Sequence, residues 1–218
     1  MPLVDGIGCW SSVRASGDLA PGRPALFLDR DGVLVEEVGF LRDRSDVALI
    51  KGAARVIAAC NNAGIPVVVV TNQSGIARGI LDWSDFEEVQ LQIESLLAQA
   101  GARVDAVYAC GYHADGRGSL GVRDHAWCKP NPGMLAAAAQ ELALRPEISW
   151  VVGDRARDLE AGRNAGLAGG VQVMTGHATE EQREMSQALG TNTFQVLVAQ
   201  SITDVDDVVA RMTRTSTC

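Results

Sequence analysis

Apolar and polar positions alternate in blocks along this chain, and the blocks predict a regular succession of strands and helices. Short apolar or β-branched runs predict strands at residues 25–28, 65–70, 104–109, 148–152, 170–174 and 194–198. Segments with helical spacing of apolar residues predict helices at 51–63, 84–100, 132–144, 155–164, 179–189 and 204–212. Repeated strand–helix units predict an α/β fold, a doubly wound parallel sheet with helices on both faces.

Two connections are longer than the others between the predicted strands and helices, at residues 33–50 and 110–129. Because long connections in compact domains are usually functional, we expect them to supply specificity, the first through residues 37–40. Neither is long enough for a sizeable cap domain, so the crevice should be open. We expect residues 25–218 to form one domain, preceded by an N-terminal extension of residues 1–24 that is either a loose arm or a packed segment.

Composition narrows the choice of partners. Hydrophobic residues make up 47% of the 218 residues, and the formal net charge of −8 argues against nucleic acid or an anionic membrane as a partner. No apolar run approaches the length of a membrane span, and the first 24 residues lack the apolar segment of a secretory signal. The five scattered cysteines indicate a reducing cytoplasm rather than a disulfide framework. We therefore expect a cytoplasmic protein, and we expect it to be a monomer.

The first predicted strand runs directly into Asp29-Arg30-Asp31-Gly32. Asp29 and Asp31 are two positions apart, so on extended backbone their side chains point to the same side. Neighbouring carboxylates repel each other unless a cation or a proton lies between them, and open α/β sheets bind ligands at the carboxyl ends of strands. The stretch predicts a metal site that handles phosphate, with one carboxylate free to attack. An ordinary turn is the alternative interpretation, whereas a calcium loop is excluded because its glycine would come later.

Three further strand ends carry polar groups. After the second strand, the segment from Thr71 to Ser74 offers a hydroxyl and successive amides for phosphate oxygens, or forms an ordinary turn. Lys129 lies beside prolines that fix its direction, unless it is a solvated charge before a helix. Asp154 follows the fourth strand and Asp158 lies one helical turn later, as reactive groups or as helix caps. On one sheet these groups would converge on one crevice.

Taken in order, these residues resemble the four motifs of the haloacid dehalogenase-like (HAD) phosphatase superfamily. The sequence at residues 29–33, 71–79 and 129–134 is similar to that of the D-glycero-D-manno-heptose 1,7-bisphosphate 7-phosphatase and histidinol-phosphatase branch. The resemblance covers residues 25–175. It implies a Mg²⁺-dependent phosphatase acting on a small phosphorylated sugar through an aspartyl-phosphate. Heptose bisphosphate is the leading substrate, followed by histidinol phosphate or another sugar phosphate.

The resemblance also implies a role for each motif residue. Asp29 would attack phosphorus, and Asp31 would protonate the leaving alcohol and then activate water. Mg²⁺ would be held by Asp29, the backbone carbonyl of Asp31 and Asp154, while Asp158 would orient Lys129 or a metal-bound water. The implied substrate-binding residues are Thr71, Asn72, Gln73, Ser74, Cys128, Lys129 and Arg155, of which Thr71 and Lys129 are also counted as catalytic.

The segment before Lys129 departs from that branch, which usually carries a zinc loop with Cys-x-His and Cys-x-Cys. Aligned on Lys129, this chain keeps only the first cysteine, and Tyr112, His125 and Trp127 stand at the other places. A different set could still bind structural zinc in tetrahedral geometry, unless its members are ordinary loop side chains: Cys110, His113, His125 and Cys128. Cys128 also stands where the branch tends to have a substrate-recognising arginine, and a thiol cannot bind a second phosphate as a guanidinium does.

A function of another class stays open on the sequence alone. Receiver-like phospho-signalling domains also use clustered aspartates, a threonine and a lysine on a doubly wound sheet. Their phosphorylated aspartate would normally follow a later strand and would lack the Asp-x-Asp pairing found at Asp29 and Asp31. A stable aspartyl-phosphate without release of phosphate would favour that class.

Overall fold

The structure is a computed structural model that describes residues 3–14 and 21–215. The strands of its sheet are β1 (Cys9–Val13), β2 (Leu26–Leu28), β3 (Val67–Asn72), β4 (Ala106–Cys110), β5 (Trp150–Gly153), β6 (Gly169–Val173) and β7 (Gln195–Ala199). Their order across the sheet is β1-β4-β3-β2-β5-β6-β7. Every pairing is parallel except β1 with β4, which is antiparallel. The predicted α/β class with a doubly wound sheet is confirmed.

The helices lie on both faces of the sheet. They are α1 (Ala53–Asn62), α2 (Ser74–Arg78), α3 (Trp83–Gln99), α4 (Gly133–Glu141), α5 (Ala156–Asn164), α6 (Glu180–Gln187) and α7 (Asp206–Thr215). Along β2, Leu26 and Leu28 face the hydrophobic cluster that includes α1, α3 and α7. Phe27 faces the opposite cluster, which includes α4 and α5. This alternation follows from the two-residue period of a strand, and it leaves both faces of β2 buried.

Strand β2 is central in the sheet, with β3 on one side and β5 on the other. Leu28, the last residue of β2, is paired with Val69 of β3 and with Val152 of β5. The residues that follow these three strands therefore emerge at one edge of the sheet. This register brings the polar strand ends predicted from the sequence to the same place.

Two local features differ from the prediction. The helix predicted at residues 84–100 begins one residue earlier, since α3 starts at Trp83 and its N-cap is Asp82, whose side chain accepts hydrogen bonds from the amides of Ser84 and Asp85. Residues 74–78, where no helix was predicted, form the short helix α2. The first difference is one residue at a helix start, where local capping chemistry decides the boundary.

The N-terminal extension contributes an edge strand. β1 pairs with β4 from Cys9 opposite Cys110 to Val13 opposite Ala106. The indole of Trp10 donates a hydrogen bond to Glu87 of α3. This part of the extension is therefore packed, which decides between the two interpretations of residues 1–24 for the portion that the structure describes. Within residues 3–14 and 21–215, no helix combines the length and apolar character needed to cross a bilayer.

Candidate active site

Three aspartates and one lysine meet at the carboxyl edge of the sheet. Asp29 follows β2, while Asp154 and Asp158 lie at the end of β5 and in the first turn of α5. Carboxylate oxygens of these three residues lie within 4.8 Å of one another. The Nζ atom of Lys129 lies 2.9 Å from Oδ1 of Asp29 and 2.7 Å from Oδ1 of Asp158. All four side chains are buried, so their charges are poorly screened by water.

The cluster contains three carboxyl groups and only one ammonium group. Burial raises the pKa of Asp29 to about 6, with repulsion from Asp158 and Asp31 adding to it and Lys129 opposing it. Burial likewise raises the pKa of Asp154 to about 7, reinforced by the charges of Asp29 and Asp158. For Asp29 and Asp154, burial and the neighbouring carboxylates therefore outweigh the attraction of the one lysine.

Lys129 is fixed in place by both of its ends. Its ammonium donates a hydrogen bond to the backbone carbonyl of Val70, at 2.8 Å, in addition to the two carboxylates. Its backbone is held by Asn72, whose side chain accepts from the Lys129 amide and donates to the Lys129 carbonyl, both at 3.0 Å. Burial acts against the charged form, but Asp158 and Asp29 raise the pKa of Lys129 above its usual range. The ammonium is thus charged and points at Asp29.

Asp31 is held by two neighbours outside the cluster. Both Nε and Nη2 of Arg30 donate to its carboxylate at 3.0–3.1 Å, and Nε2 of Gln73 donates to its Oδ2 at 3.0 Å. The side chain of Arg30 is 1% exposed, and its guanidinium lies over the ring of Phe86. Gln73 also donates to the hydroxyl of Thr71, at 2.9 Å. These contacts connect Asp31 to the end of β3.

Gly32 has to be a glycine for two independent reasons. Its φ of +80° lies in the left-handed region, which other residues adopt at a cost. A Cβ at this position would lie 2.6 Å from Oδ2 of Asp154 and 2.8 Å from Cα of Gly176. The turn after Asp31 can therefore pass directly against Asp154, which keeps the two strand ends in contact.

A cavity of about 290 Å³ lies over this edge of the sheet. Most of the predicted site residues line it: Asp29, Asp31, Thr71, Asn72, Gln73, Ser74, Asp154 and Arg155. One wall comes from the segment of residues 37–41, as expected for the first long connection. His177 also lines this cavity, where its amide donates to Oδ2 of Asp154 at 2.6 Å and Nε2 of its ring lies 3.2 Å from Oε2 of Glu37.

A second cavity, of about 240 Å³, adjoins the first. The two share Asn72, Ser74 and Arg157 as lining residues. Cys128 and Lys129, the remaining predicted substrate-binding residues, line this second cavity. Its outer wall comes from the second long connection, through residues 112–114 and 122–124. Both long connections therefore border the site, one at each cavity.

The predicted zinc ligands come together only in part. Cys110, His125 and Cys128 place ligand atoms within 4.8 Å of one another, but the structure joins Cys110 and Cys128 in a disulfide bond, which the sequence did not predict. His113 is not in this group, because its ring contacts Arg78 and Asp115 instead. Zinc binds thiolates, so the disulfide and a zinc site are alternative states of this cysteine pair. The four-residue zinc set is not assembled here.

The loop between the two bonded cysteines is anchored by the N-terminal segment. Tyr112 stacks on His125 with ring centroids 4.0 Å apart, and its hydroxyl donates to Asp5 at 2.6 Å. Asp5 also accepts from three amides of its own turn, those of residues 7–9. Although burial acts against it, these hydrogen bonds lower the pKa of Asp5 well below its usual range. An ionised Asp5 therefore ties residues 3–13 to the wall of the second cavity.

Comparison with known proteins agrees with this geometry. The family model described as HAD-hydrolase-like matches residues 126–205. A D-glycero-β-D-manno-heptose-1,7-bisphosphate 7-phosphatase of Mesorhizobium japonicum is 44% identical over 186 residues, which are 83% of this chain and 86% of the relative. The chain belongs to this phosphatase branch of the HAD superfamily. The enzyme of the same name from Vibrio cholerae is 36% identical over 87% of this chain and 98% of its own length.

Solved structures of HAD phosphatases share the fold. A HAD-like phosphatase of Mesorhizobium loti superposes with a TM-score of 0.86 at 39% identity, over 98% of this chain and 96% of the other. The D,D-heptose 1,7-bisphosphate phosphatase of B. bronchiseptica, which is complexed with magnesium and phosphate, gives a TM-score of 0.72 at 29% identity. That match covers 86% of this chain and 98% of the other. This chain is accordingly a hydrolase of phosphate esters.

The donor set of this HAD phosphatase fits magnesium. Asp29, Asp154 and Asp158 offer only oxygen atoms, which is what Mg²⁺ prefers. Burial raises the pKa of both Asp29 and Asp154, and a divalent cation bound by them would favour their ionised form. The side chain of Asp31 is occupied by Arg30 and Gln73, which is consistent with a contribution through its backbone carbonyl.

Three residues at the site were not identified from the sequence. Arg30 occupies the variable place between the two aspartates, and nothing in the pattern shows that its side chain is buried. Arg157 looks like a solvent-facing residue of a charged helix start. His177 follows β6, which is the fifth strand predicted from the sequence. It could have been identified, because polar residues that follow any strand of a parallel sheet lie at the same edge.

Proposed function

We propose that this chain is a Mg²⁺-dependent phosphatase that removes the 7-phosphate of D-glycero-β-D-manno-heptose 1,7-bisphosphate. The observation that carries the proposal is the 44% identity with a phosphatase of that name over 86% of its length. The cluster of Asp29, Lys129 and Asp154 supports it, because phosphoryl transfer requires a nucleophile and fixed positive charge in one place.

In the proposed mechanism Asp29 attacks phosphorus and forms an aspartyl-phosphate. Lys129 keeps the Asp29 carboxylate oriented, since its ammonium contacts Oδ1 directly. The amide of Arg30 donates to the same oxygen at 2.7 Å, so neither of these donors engages Oδ2. The hydroxyl of Thr71 and the ammonium of Lys129 would bind the equatorial oxygens, where negative charge accumulates in the transition state.

Asp31 is proposed as the general acid and base. It would protonate the leaving alcohol and then take a proton from the water that hydrolyses the aspartyl-phosphate. Arg30 and Gln73 hold its carboxylate at the side of the cavity, so a carboxyl group is present next to Asp29 without competing for Lys129. Arg155 lines the same cavity and is proposed to contact the sugar.

Magnesium is proposed to bind at Asp29, Asp154 and the Asp31 carbonyl. When bound, it neutralises the negative charge shared by the carboxylates and the phosphate dianion. Asp158 contacts Lys129 at 2.7 Å and is proposed to orient it rather than to bind metal. A zinc ion beside Cys110 would require the reduced form of the cysteine pair.

The proposal is tested by measuring phosphate release from a panel of phosphate esters, with and without Mg²⁺. The panel contains heptose 1,7-bisphosphate, histidinol phosphate and two common hexose phosphates. We expect the highest kcat/KM for the heptose bisphosphate, with heptose 1-phosphate as the product by ³¹P NMR and no turnover after chelation. A higher kcat/KM for histidinol phosphate, or release of the 1-phosphate, would contradict the substrate assignment.

A further inference from the structure

We propose that the second cavity binds the phosphate of a sugar bisphosphate that does not react, and that Arg157 is the residue that recognises it. This inference rests on the proposed function, because it assumes a substrate with two phosphate groups. It assigns a specificity-determining role to a residue that the HAD motifs do not include.

Arg157 stands at the boundary between the two cavities. It lies in the first turn of α5 and lines both the cavity over Asp29 and the cavity beside Cys128. A substrate with one phosphate at Asp29 would pass Arg157 as it extends into the second cavity. The shared lining residues Asn72 and Ser74 complete the passage on the β3 side.

The guanidinium of Arg157 is short of partners. Its Nε is buried and has no hydrogen-bond partner, and among residues 3–14 and 21–215 no carboxylate forms an ion pair with it. A partly buried, unpaired guanidinium is unfavourable until an anion satisfies it. Its positive charge also acts on Lys129, whose pKa it lowers against the stronger effect of the two aspartates.

The charges of the second cavity favour an anion without a metal. Arg123 and Arg157 line it, whereas Asp124 is its only carboxylate among the lining residues. The charge of Lys129 is already neutralised by Asp29 and Asp158. The first cavity differs, since its carboxylates would repel a phosphate in the absence of a cation. A second phosphate is therefore drawn away from the carboxylate cluster and toward Arg157.

Arg157 also supplies the positive charge that Cys128 does not. Cys128 lines the second cavity at the position where the related branch tends to have an arginine, and here its sulfur is bonded to Cys110. A disulfide carries no charge, so recognition of a phosphate has to come from another element. The guanidinium of Arg157 reaches the same cavity from α5, and its planar group can bind two phosphate oxygens at once.

The test compares the bisphosphate with the matching monophosphate. Wild type, Arg157→Gln and Arg157→Lys are assayed with heptose 1,7-bisphosphate and with heptose 7-phosphate. Arg163→Gln is the matched control, because it removes the same charge from the exposed end of the same helix. The readout is the ratio of kcat/KM for the two substrates, and melting temperatures establish that each variant is folded.

We expect wild type to prefer the bisphosphate, and Arg157→Gln to lower that preference about ten- to hundred-fold, through KM for the bisphosphate. Arg157→Lys should retain part of it, and Arg163→Gln all of it. A wild-type ratio near one, an unchanged ratio in Arg157→Gln, or an equal loss in Arg163→Gln would overturn the inference. If Arg157→Gln does not fold, Arg157→Lys decides by the same ratio. Failure of the proposed function looks different, since wild type would then prefer histidinol phosphate or release the 1-phosphate of the bisphosphate.

Discussion

The guanidinium of Arg30 donates from both Nε and Nη2 to the two oxygens of the carboxylate of Asp31, its neighbour in the chain. Arg30 is itself buried against Phe86, so it acts as a rigid support. The proposed acid–base group is thus held by the residue between the two aspartates. An interaction of this kind fixes direction as well as distance, which matters for proton transfer to a leaving alcohol.

Arg30→Met is expected to lower kcat for the sugar phosphate about ten- to hundred-fold, because Asp31 loses its orientation. The kcat/KM for p-nitrophenyl phosphate, which reports only the step that forms the aspartyl-phosphate, should fall much less, since this leaving group needs little protonation. The same pattern is expected for Asp31→Asn. Equal losses on both substrates in Arg30→Met would instead indicate that Arg30 only stabilises the fold, which a melting curve would confirm.

Lys129→Met is expected to lower kcat about 10²- to 10³-fold, the usual cost of removing a fixed charge from the transferring phosphoryl group. The substitution also leaves Asp29 and Asp158 buried without their counter-ion, so the pKa of Asp29 should rise further. Lys51 is the only other lysine in the chain and is exposed, which makes Lys51→Met a matched control. Loss of activity below tenfold in Lys129→Met would contradict its role.

Magnesium and protons should compete for the aspartate cluster. The pKa of Asp154 is raised from 3.8 to about 7, so without metal the folded protein binds more protons than the unfolded chain between these values. The contribution of Asp154 to the free energy of unfolding therefore falls as pH rises from about 4 to about 7. Asp154→Asn removes this effect, because the amide does not ionise.

Thermal unfolding in EDTA measures that contribution. Relative to wild type, Asp154→Asn should gain stability as pH rises from 5 to 8. Mg²⁺ should raise the melting temperature of wild type more at pH 8 than at pH 6, and should have little effect on Asp154→Asn. A Mg²⁺ effect that is the same at both pH values would contradict a site built on these carboxylates.

The cysteine pair gives a prediction that is independent of catalysis. The chain has five cysteines, and with Cys110 bonded to Cys128 three thiols should react in unfolded, unreduced protein. Cys218 is counted among them, although it lies outside the described residues. Zinc content should be well below one ion per chain in protein prepared without chelator. Five reactive thiols together with one zinc per chain would show that the reduced, metal-bound state is the native one.

The sequence predicts the α/β class and the position of most elements because buried parallel strands give unmistakable apolar runs, such as residues 67–70. It misses β1, since the segment Cys9–Val13 mixes polar and apolar residues as an edge strand does. It also misses α2, whose five residues are too few to show a helical period. Helix boundaries such as that of α3 depend on a single cap and were wrong for that reason.

The candidate site could likewise be predicted from the sequence only in part. The acidic and basic motif residues could be predicted to meet, because each follows a strand that ends at the same edge of the sheet. Arg30 and Arg157 could not, since their importance depends on where long side chains lie after folding. The disulfide was missed because Cys110 and Cys128 are 18 positions apart, and only the path of the loop brings them together.

Phosphate release by wild type and by Asp29→Asn tests the central claim most directly. Both proteins are assayed with heptose 1,7-bisphosphate in Mg²⁺, after melting curves have shown that both are folded. The account predicts turnover by wild type and a loss of at least about 10⁴-fold in Asp29→Asn, because an amide cannot form the aspartyl-phosphate. Turnover by a clean preparation of Asp29→Asn above a few per cent of the wild-type rate would contradict it.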